Sequence, residues 1–203
     1  MPLHASVVES VAPPGAHEIA ALVRRAADGD VPAFERLVAH YQPKVFRFAL
    51  SFTTDRDAAS DLAQEALIRV YRSIGGFRFE SAFSTWLFRI VKNVFLDALK
   101  SRQQKERDLE TSIEFAGEDL ARLQGHALAD ERLIRDETRR ALGRALERVP
   151  VAFRRVVVLF DLEGLSYDEI AAVLEVPLGT VKSRLKRGRD ALRAEIFRSK
   201  ELT

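Results

Sequence analysis

Two clusters of cationic side chains are the residues in this 203-residue sequence best suited to do chemistry. The first spans positions 69–105, where eight Lys or Arg residues oppose two acidic ones and five aromatic residues fall within positions 77–88. The second spans positions 177–200, again with eight basic residues against two acidic ones. Each cluster therefore carries six net positive charges, a balance that favours a polyanion such as nucleic acid as the partner.

The aromatic residues of the first cluster suggest contact with exposed bases. Aromatic faces among cations stack on unpaired bases while the charge follows the phosphate backbone. The loop at 77–82 mixes aromatic and polar groups and could hold an extruded base. The alternative is that the aromatic residues only fill the core, an explanation that suits Phe83 best and the loop residues Phe77 and Phe79 least.

The second cluster follows the pattern of a helix-turn-helix. Ser166 and Glu169 form a capping-box pattern before a short apolar helix, Glu175-Val176 makes a tight turn, and Pro177 can start the next helix. Such a second helix places its exposed face in the major groove of DNA. Its polar face consists of Thr180, Lys182, Ser183, Arg184, Lys186, Arg187 and Arg189. A solvated basic helix without a ligand is the alternative.

The residues of that polar face fall into two groups, according to the part of the DNA that each can contact. Ser183, Lys186 and Arg187 lie within about one helical turn of one another and can contact base edges, where Arg and Lys pair well with guanine. Thr180, Arg184 and the backbone N–H groups at the start of the helix suit phosphates.

The helices that would position these residues account for nearly the whole chain. Apolar spacing predicts helices over about 17–28, 30–52, 55–74, 84–102, 133–148, 150–162, 166–174 and 177–197. Helix starts are expected at Asp30, at Thr54 or Asp55, and at Ser81 or Ser84. A kink is expected at Pro43.

The predicted fold class is all-α, with two small helical domains joined by an acidic linker. A flexible tail is expected at 1–16, a first domain at 17–105, a linker at 106–131 and a helix-turn-helix domain at 132–203. The linker carries eight acidic residues against two basic ones and has irregular apolar spacing. Its charge is opposite to that of both clusters.

Composition argues against several other classes of protein. The chain has no cysteine, which fits a reducing cytoplasm, and its four histidines show no metal-ligand spacing. The longest aliphatic-aromatic stretch is Val156–Phe160, and the first ten residues lack a signal-peptide pattern. We find no nucleophile motif and no phosphate-binding Gly-Lys-Ser/Thr loop. The expectation is a cytoplasmic protein that is not an enzyme and needs no cofactor or metal.

Four segments together resemble a bacterial RNA polymerase sigma factor of the extracytoplasmic-function (ECF) group. Asp61–Glu65 is similar to that family's core-polymerase-binding motif, and Ser84–Asn93, with Asp97, is similar to its promoter-melting helix. Glu163–Ala171 and Gly179–Leu185 are similar to its helix-turn-helix for the −35 element.

Two positions depart from the family pattern. Leu67 stands where a Phe is common, and Gly188 replaces a frequent Ala, which is expected to loosen the last helix slightly.

The resemblance implies roles for named residues. Core polymerase would be bound through Asp61, Gln64 and Glu65. The −10 element would be bound by Phe77, Arg78, Phe79, Ser81, Trp86, Arg89, Lys92 and Asn93. The −35 element would be bound by Tyr167, Thr180, Lys182, Ser183, Arg184, Lys186 and Arg187.

The implied partners are the clamp helices of the largest polymerase subunit, the flap of the second-largest subunit, promoter DNA and an anti-sigma factor. The acidic linker would pass through the polymerase channel, although a solvated tether explains its composition as well. The competing hypothesis is a stand-alone helix-turn-helix regulator with an N-terminal sensing or dimerisation domain, which would bind its promoters tightly without polymerase.

Overall fold

The computed structural model describes residues 14–110 and 131–200, with side chains over 14–102 and 140–198, and these residues are helical with short connections and contain no strand. The helices are α1 (Ala16–Ala27), α2 (Val31–Leu50), α3 (Arg56–Ser73), α4 (Phe83–Glu110), α5 (Glu131–Arg148), α6 (Val151–Val157), α7 (Tyr167–Leu174) and α8 (Leu178–Lys200). A 3₁₀ turn follows α3 (Ile74–Gly76), and a π-helical turn follows α6 (Val158–Leu162). The all-α prediction is confirmed. Most of the expected N-terminal tail and the centre of the expected linker lie outside the described residues.

Side chains cap three helices as the sequence predicts. Asp30 accepts a hydrogen bond from the Ala33 N–H at 3.1 Å, so α2 begins there and tolerates the proline in its first turn. Asp55, rather than Thr54, caps α3 by accepting from two backbone N–H groups at 2.8 and 3.2 Å. Both hydrogen bonds of the Ser166–Glu169 capping box are present at the start of α7.

Two expectations for α4 are corrected. Helix α4 begins at Phe83 after Ala82, so neither Ser81 nor Ser84 occupies the cap position, and the Ser81 hydroxyl instead donates to the Ala82 carbonyl at 3.4 Å. The helix also continues to Glu110, past the predicted end near residue 102. Helix α2 runs through Pro43 to Leu50, and the kink expected at Pro43 stays a prediction.

Helices α1 to α4 form the first unit around an aromatic core. The ring of Phe48 is fully buried and lies edge-on to Phe52 and Phe88, with ring centroids 4.8 and 5.2 Å away. Such edge-to-face pairs add about 0.5–1.5 kcal/mol each to the free energy gained by burying the rings. On α3 the small residues Ala59, Ala63 and Ala66 are buried, which brings this helix close to its neighbours.

Helices α5 to α8 form the second unit. Arg154 of α6 is buried because it satisfies carbonyl groups at the end of α5: its Nε and Nη2 donate to the Val149 carbonyl at 3.2 and 3.0 Å, and Nη2 also donates to the Glu147 carbonyl. Burial lowers the pKa of Arg154. These hydrogen bonds fix the corner between α5 and α6 against which α8 packs.

The two units pack against each other through a surface that we call the seam. It consists of Thr85, Arg89 and Lys92 of α4 facing Glu169, Ala172 and Glu175 of α7 and its following turn. Beside it, the Arg155 guanidinium lies over the rings of Phe52 and Phe95, 4.6 and 5.6 Å from their centroids. The buried residues of both units belong to one continuous core.

Gly188 is fixed by packing between α8 and α6, which corrects the expectation that it only loosens α8. A Cβ at this position would lie 2.6 Å from Val157 Cγ2 and 3.2 Å from the Phe153 carbonyl oxygen. Val157 is itself buried, so its methyl group has little room to move.

We expect Gly188→Ala to destabilise the protein although alanine favours helices. The clash costs about 1–3 kcal/mol, against a gain of at most about 1 kcal/mol in helix propensity. The matched control is Gly143→Ala in α5, where a Cβ would meet no atom within 4 Å and the propensity gain should remain. Urea unfolding followed by circular dichroism measures both variants. Equal stabilisation by the two substitutions would show that α6 and α8 are not in close contact.

Candidate nucleic-acid interface

The outer face of α8 carries an exposed row of polar side chains. Lys182, Ser183, Lys186 and Arg187 are all exposed. Within the described residues, neither Lys186 nor Arg187 forms a hydrogen bond or an ion pair, so both cations are available to a ligand. The Ser183 hydroxyl donates to the Thr180 carbonyl at 3.0 Å. This face has the form of a recognition helix that can enter a major groove.

The other residues predicted for the −35 element lie either beside this face or away from it. The ring of Tyr167 stacks on Phe160 with centroids 4.9 Å apart, and Lys182 Nζ lies 5.9 Å from the Tyr167 ring centroid. Thr180 is half-buried at the start of α8. Arg184 is also half-buried and lines a cavity at the seam, so the structure does not place it with the exposed row.

The loop between α3 and α4 forms one wall of an apolar cavity of about 350 Å³. Phe79 is 45% exposed and has a φ of +58°, a left-handed conformation that is unusual for an aromatic residue. Phe77 is buried beneath it, with ring centroids 4.8 Å apart. Ser81 also lines the cavity. Phe77 thus belongs to the core and forms a floor, whereas Phe79 is the ring presented to solvent.

Helix α1 supplies the opposite wall of that cavity, which the sequence did not reveal. Ile19 and Val23 line it together with Tyr41 of α2. Arg24 lies over the exposed face of Phe79, 5.6 Å from the ring centroid. A short amphipathic helix gives no sequence signal for this role, because its contact with the loop depends on the packing of α1 against the 3₁₀ turn.

The remaining residues predicted for the −10 element do not line the cavity. Trp86 is half-buried against Phe77 and Phe83, with centroids 5.1 and 5.6 Å away, and does not line the cavity. Arg78 and Asn93 are exposed. Trp86 therefore supports the cavity floor rather than forming its surface.

The seam engages the other two cations predicted to bind the −10 element. The Arg89 Nε donates to the Ala172 carbonyl at 3.0 Å, and Lys92 Nζ lies 2.6 Å from the Glu175 carboxylate. The side chain of Lys92 is only 5% exposed, whereas that of Glu175 is 70% exposed. In this conformation the helix-turn-helix covers part of the face of α4 that would contact DNA.

The two carboxylates of the seam are held in their charged form. The hydrogen bond from Lys92 and the charge of its ammonium group lower the pKa of Glu175. Burial raises the pKa of Glu169, but hydrogen bonds from Ser166 and Thr85 outweigh it, so the pKa is lowered overall. The Thr85 hydroxyl donates to Glu169 at 3.1 Å. Glu175 has a φ of +55°, so the turn places its side chain through a left-handed residue.

A third surface lies on α3. Asp61 and Gln64 are exposed, while Glu65 is half-buried and accepts a hydrogen bond from Arg69 at 2.8 Å. Ile68 lies on the same face, one turn after Gln64, and is 45% exposed. The sequence analysis missed Ile68, although an apolar residue three and four positions beyond two polar ones on an exposed face is the signal that could have found it.

Within the part of the chain that the structure describes, no group of three or more His, Asp or Glu side chains is arranged to hold a metal ion. His40 is half-buried beside Lys44, with 2.9 Å between His40 Nε2 and Lys44 Nζ. Burial and the Lys44 charge lower the pKa of His40.

None of the described helices is both long enough and apolar enough to cross a lipid bilayer.

The arrangement of these surfaces defines a class of protein, and comparison with known families agrees with it. Residues 37–105 match Sigma-70 region 2, and residues 139–192 match Sigma-70 region 4. A helical unit with an aromatic loop, followed by a helix-turn-helix unit, is thus a sigma-70-type transcription initiation factor. The chain belongs to the ECF group of RNA polymerase sigma factors.

Two bacterial sigma factors align with most of the chain. The RNA polymerase sigma-H factor of Pseudomonas aeruginosa is 40% identical over 177 residues, which is 84% of this chain and 90% of the relative. The ECF RNA polymerase sigma-E factor of Escherichia coli K12 is 36% identical over 173 residues, with the same coverage of 84% and 90%.

Two solved structures share the fold. CnrH in complex with the cytosolic domain of CnrY has a TM-score of 0.58 and 26% identity, covering 87% of this chain and 96% of that chain. The sigma factor RpoE in complex with the anti-sigma factor NepR, from Bartonella quintana, has a TM-score of 0.59 and 25% identity, covering 80% and 96%.

We expect Glu175→Lys to open the seam, because it would place a second cation beside the buried Lys92. The radius of gyration from small-angle X-ray scattering should increase, and affinity for a single-stranded −10 oligonucleotide should rise as Arg89 and Lys92 become accessible. The control is Asp168→Lys on the same helix, an exposed acid with no hydrogen bond or ion pair in the described residues. A radius of gyration that is unchanged in Glu175→Lys would contradict the role of this ion pair.

Proposed function

We propose that this sigma factor binds core RNA polymerase through α3, holds an extruded base of the −10 element at the loop of residues 77–82, and reads the duplex −35 element with α8. The observation that carries the proposal is the exposed cationic face of α8 on a capped helix-turn-helix, where Lys186 and Arg187 have no partner among the described residues. In a solvated surface helix without a ligand, we would expect such cations to pair with neighbouring acidic side chains.

The cavity at the loop supports the strand-opening part of the proposal. Extruding a base from a duplex costs a few kcal/mol, and stacking on one aromatic ring returns about 1–3 kcal/mol. Phe79 offers an exposed ring, and Ser81 offers a hydroxyl on the rim of the same cavity. The net free energy of extruding one base and stacking it on one ring is therefore close to zero. Strand opening then also depends on the second DNA contact and on polymerase.

The two DNA readers can each be weak because one chain links them. Once α8 is bound at the upstream duplex, the first unit acts at a high effective concentration on the downstream element. The acidic segment at residues 106–131 has the same charge sign as the DNA phosphates and is repelled by them, and it would suit a polymerase channel with basic walls. Nucleotide addition is left to the polymerase, and we propose no catalytic residue, cofactor or metal in this chain.

An anti-sigma factor is the second proposed partner. The solved relatives RpoE and CnrH are bound to the anti-sigma factor NepR and to the cytosolic domain of CnrY. A protein that covers both units would keep this chain from polymerase, and such regulation fits action in the cytoplasm. The stand-alone regulator hypothesis is disfavoured, since both sigma regions are present in order.

Run-off transcription with purified core polymerase and genomic fragments tests the proposal. The chain should confer start sites that core polymerase alone lacks. Lys186→Ala with Arg187→Ala should reduce transcription from these sites by about tenfold or more, since each lost base contact costs about 1–3 kcal/mol. The control is Arg193→Ala, an exposed cation further along α8 that pairs with Asp190. Full activity of the double variant would remove α8 as the −35 reader.

Arginine substitutions on α3 test the polymerase interface. Asp61→Arg and Gln64→Arg should weaken binding to core polymerase in a fluorescence titration, because both side chains are exposed on one face and have no partner among the described residues. Glu65→Arg should also disturb Arg69, so it is the less specific probe. Glu35→Arg on α2, likewise exposed, is the matched control. If all the α3 variants bind like the control, polymerase docks elsewhere.

A further inference from the structure

A second cavity, of about 180 Å³, lies at the seam between α4, α6, the turn after α7, and α8. Three of its lining side chains are cations and one is a carboxylate: Lys92, Arg155 and Arg184 against Glu175. The remaining lining is mostly apolar. The walls come from both helical units, so the cavity exists only when the seam is closed.

Arg155 is the least satisfied group in this cavity. Its Nε is buried and has no hydrogen-bond acceptor, although it always carries a proton to donate. Its guanidinium is held over the rings of Phe52 and Phe95, which keep it in place but accept no conventional hydrogen bond. A buried donor without an acceptor has the full cost of its lost hydration.

The charges around Arg155 are also unbalanced. Burial lowers its pKa, and repulsion from Arg184 and Arg154 lowers it further. Arg184 has no ion pair within the described residues, and the carboxylate of Glu175 is already engaged by Lys92 at 2.6 Å. Arg89 also acts on Glu175 from the rim. Two guanidinium groups therefore face this cavity without a counter-ion from the part of the chain that the structure describes.

We propose that this cavity binds a phosphate group. Three cations and one carboxylate leave two net positive charges, which match a phosphate dianion. The planar fork of an arginine side chain presents paired donors at the spacing of phosphate oxygens, and Arg155 and Arg184 supply two such forks. The volume accommodates several water molecules and hence one phosphate group.

A bound phosphate would stabilise the closed seam. Because the site takes Lys92 from the first unit and Arg155 and Arg184 from the second, the ligand binds the closed conformation in preference to the open one and shifts the population toward it. A bound phosphate-bearing compound would therefore keep the face of α4 that carries Arg89 and Lys92 covered. The phosphate belongs either to a small free compound or to a DNA backbone, and the chemistry of the site is the same for both.

Thermal unfolding of the full chain tests the site, using inorganic phosphate at constant ionic strength and chloride as the reference salt. Wild type should gain Tm with phosphate and not with chloride. Arg155→Met keeps an apolar stem over Phe52 and Phe95 but removes the donors, and its apparent affinity for phosphate should fall by about tenfold or more. Arg193→Met, at an exposed position of α8, is the control and should respond like wild type.

An equal phosphate response in Arg155→Met and wild type, or an equal effect of chloride, would overturn the proposal. Should Arg155→Met fail to fold, Arg184→Met serves as the second variant, since its half-buried side chain lies on the other wall.

A random-sequence duplex distinguishes the two sources. If the DNA backbone is the occupant, Arg155→Met lowers duplex affinity and phosphate competes with the duplex; if a free compound is, the two proteins bind the duplex equally. No polymerase or promoter is present, so failure here is separate from failure of the transcription test.

Discussion

The ion pair between Lys92 and Glu175 is the interaction on which the arrangement of the two units depends. An ammonium group that is 5% exposed is costly to bury unless a carboxylate accompanies it. Here the carboxylate comes from a turn 83 positions further along the chain, and the left-handed backbone at Glu175 directs it toward α4. Hydrogen bonds at Thr85 and Arg89 run alongside, and Arg47 pairs with Glu163 at 2.8 Å near the end of the π-helical turn. The seam is thus polar at its edge and apolar in the adjoining core.

This polar character has a functional consequence. Because the Glu175 carboxylate is 70% exposed, salt screens its ion pair with Lys92, and the seam can open when a stronger ligand competes for its cations. In the proposed function, the DNA backbone is such a ligand for Arg89, which does not line the cavity that contains Lys92. The exposed row on α8 is already accessible in the closed form, whereas the neighbouring face of α4 is not. Upstream contact can therefore precede strand opening within one chain.

Much of the fold could be predicted from the sequence because local rules decide it. The caps at Asp30, Asp55 and Ser166 use side chains within three residues of the groups they bond, and apolar spacing places the helices that follow. The start of α4 was wrong, since serine residues stood at plausible cap positions but the helix begins after Ala82.

Contacts between distant segments could not be predicted in the same way. The burial of Phe77 depends on where α1 lies, and the space at Gly188 depends on how α6 crosses α8. From the sequence alone, Lys92 is predicted to bind DNA, and only the structure shows that it is buried against Glu175. Assignments of the −10, −35 and polymerase-binding residues remain predictions, although the sigma regions that contain them are confirmed.

The central claim is that the closed seam must part before the −10 element is read, and a distance measurement tests it directly. The chain has no cysteine, so single cysteines at the exposed positions Glu35 and Arg193 can each carry one fluorophore. We expect the efficiency of energy transfer to fall clearly when core polymerase is added to the free protein, and Glu175→Lys should show the same fall without polymerase. Transfer that stays the same in free protein and polymerase complex would contradict the account.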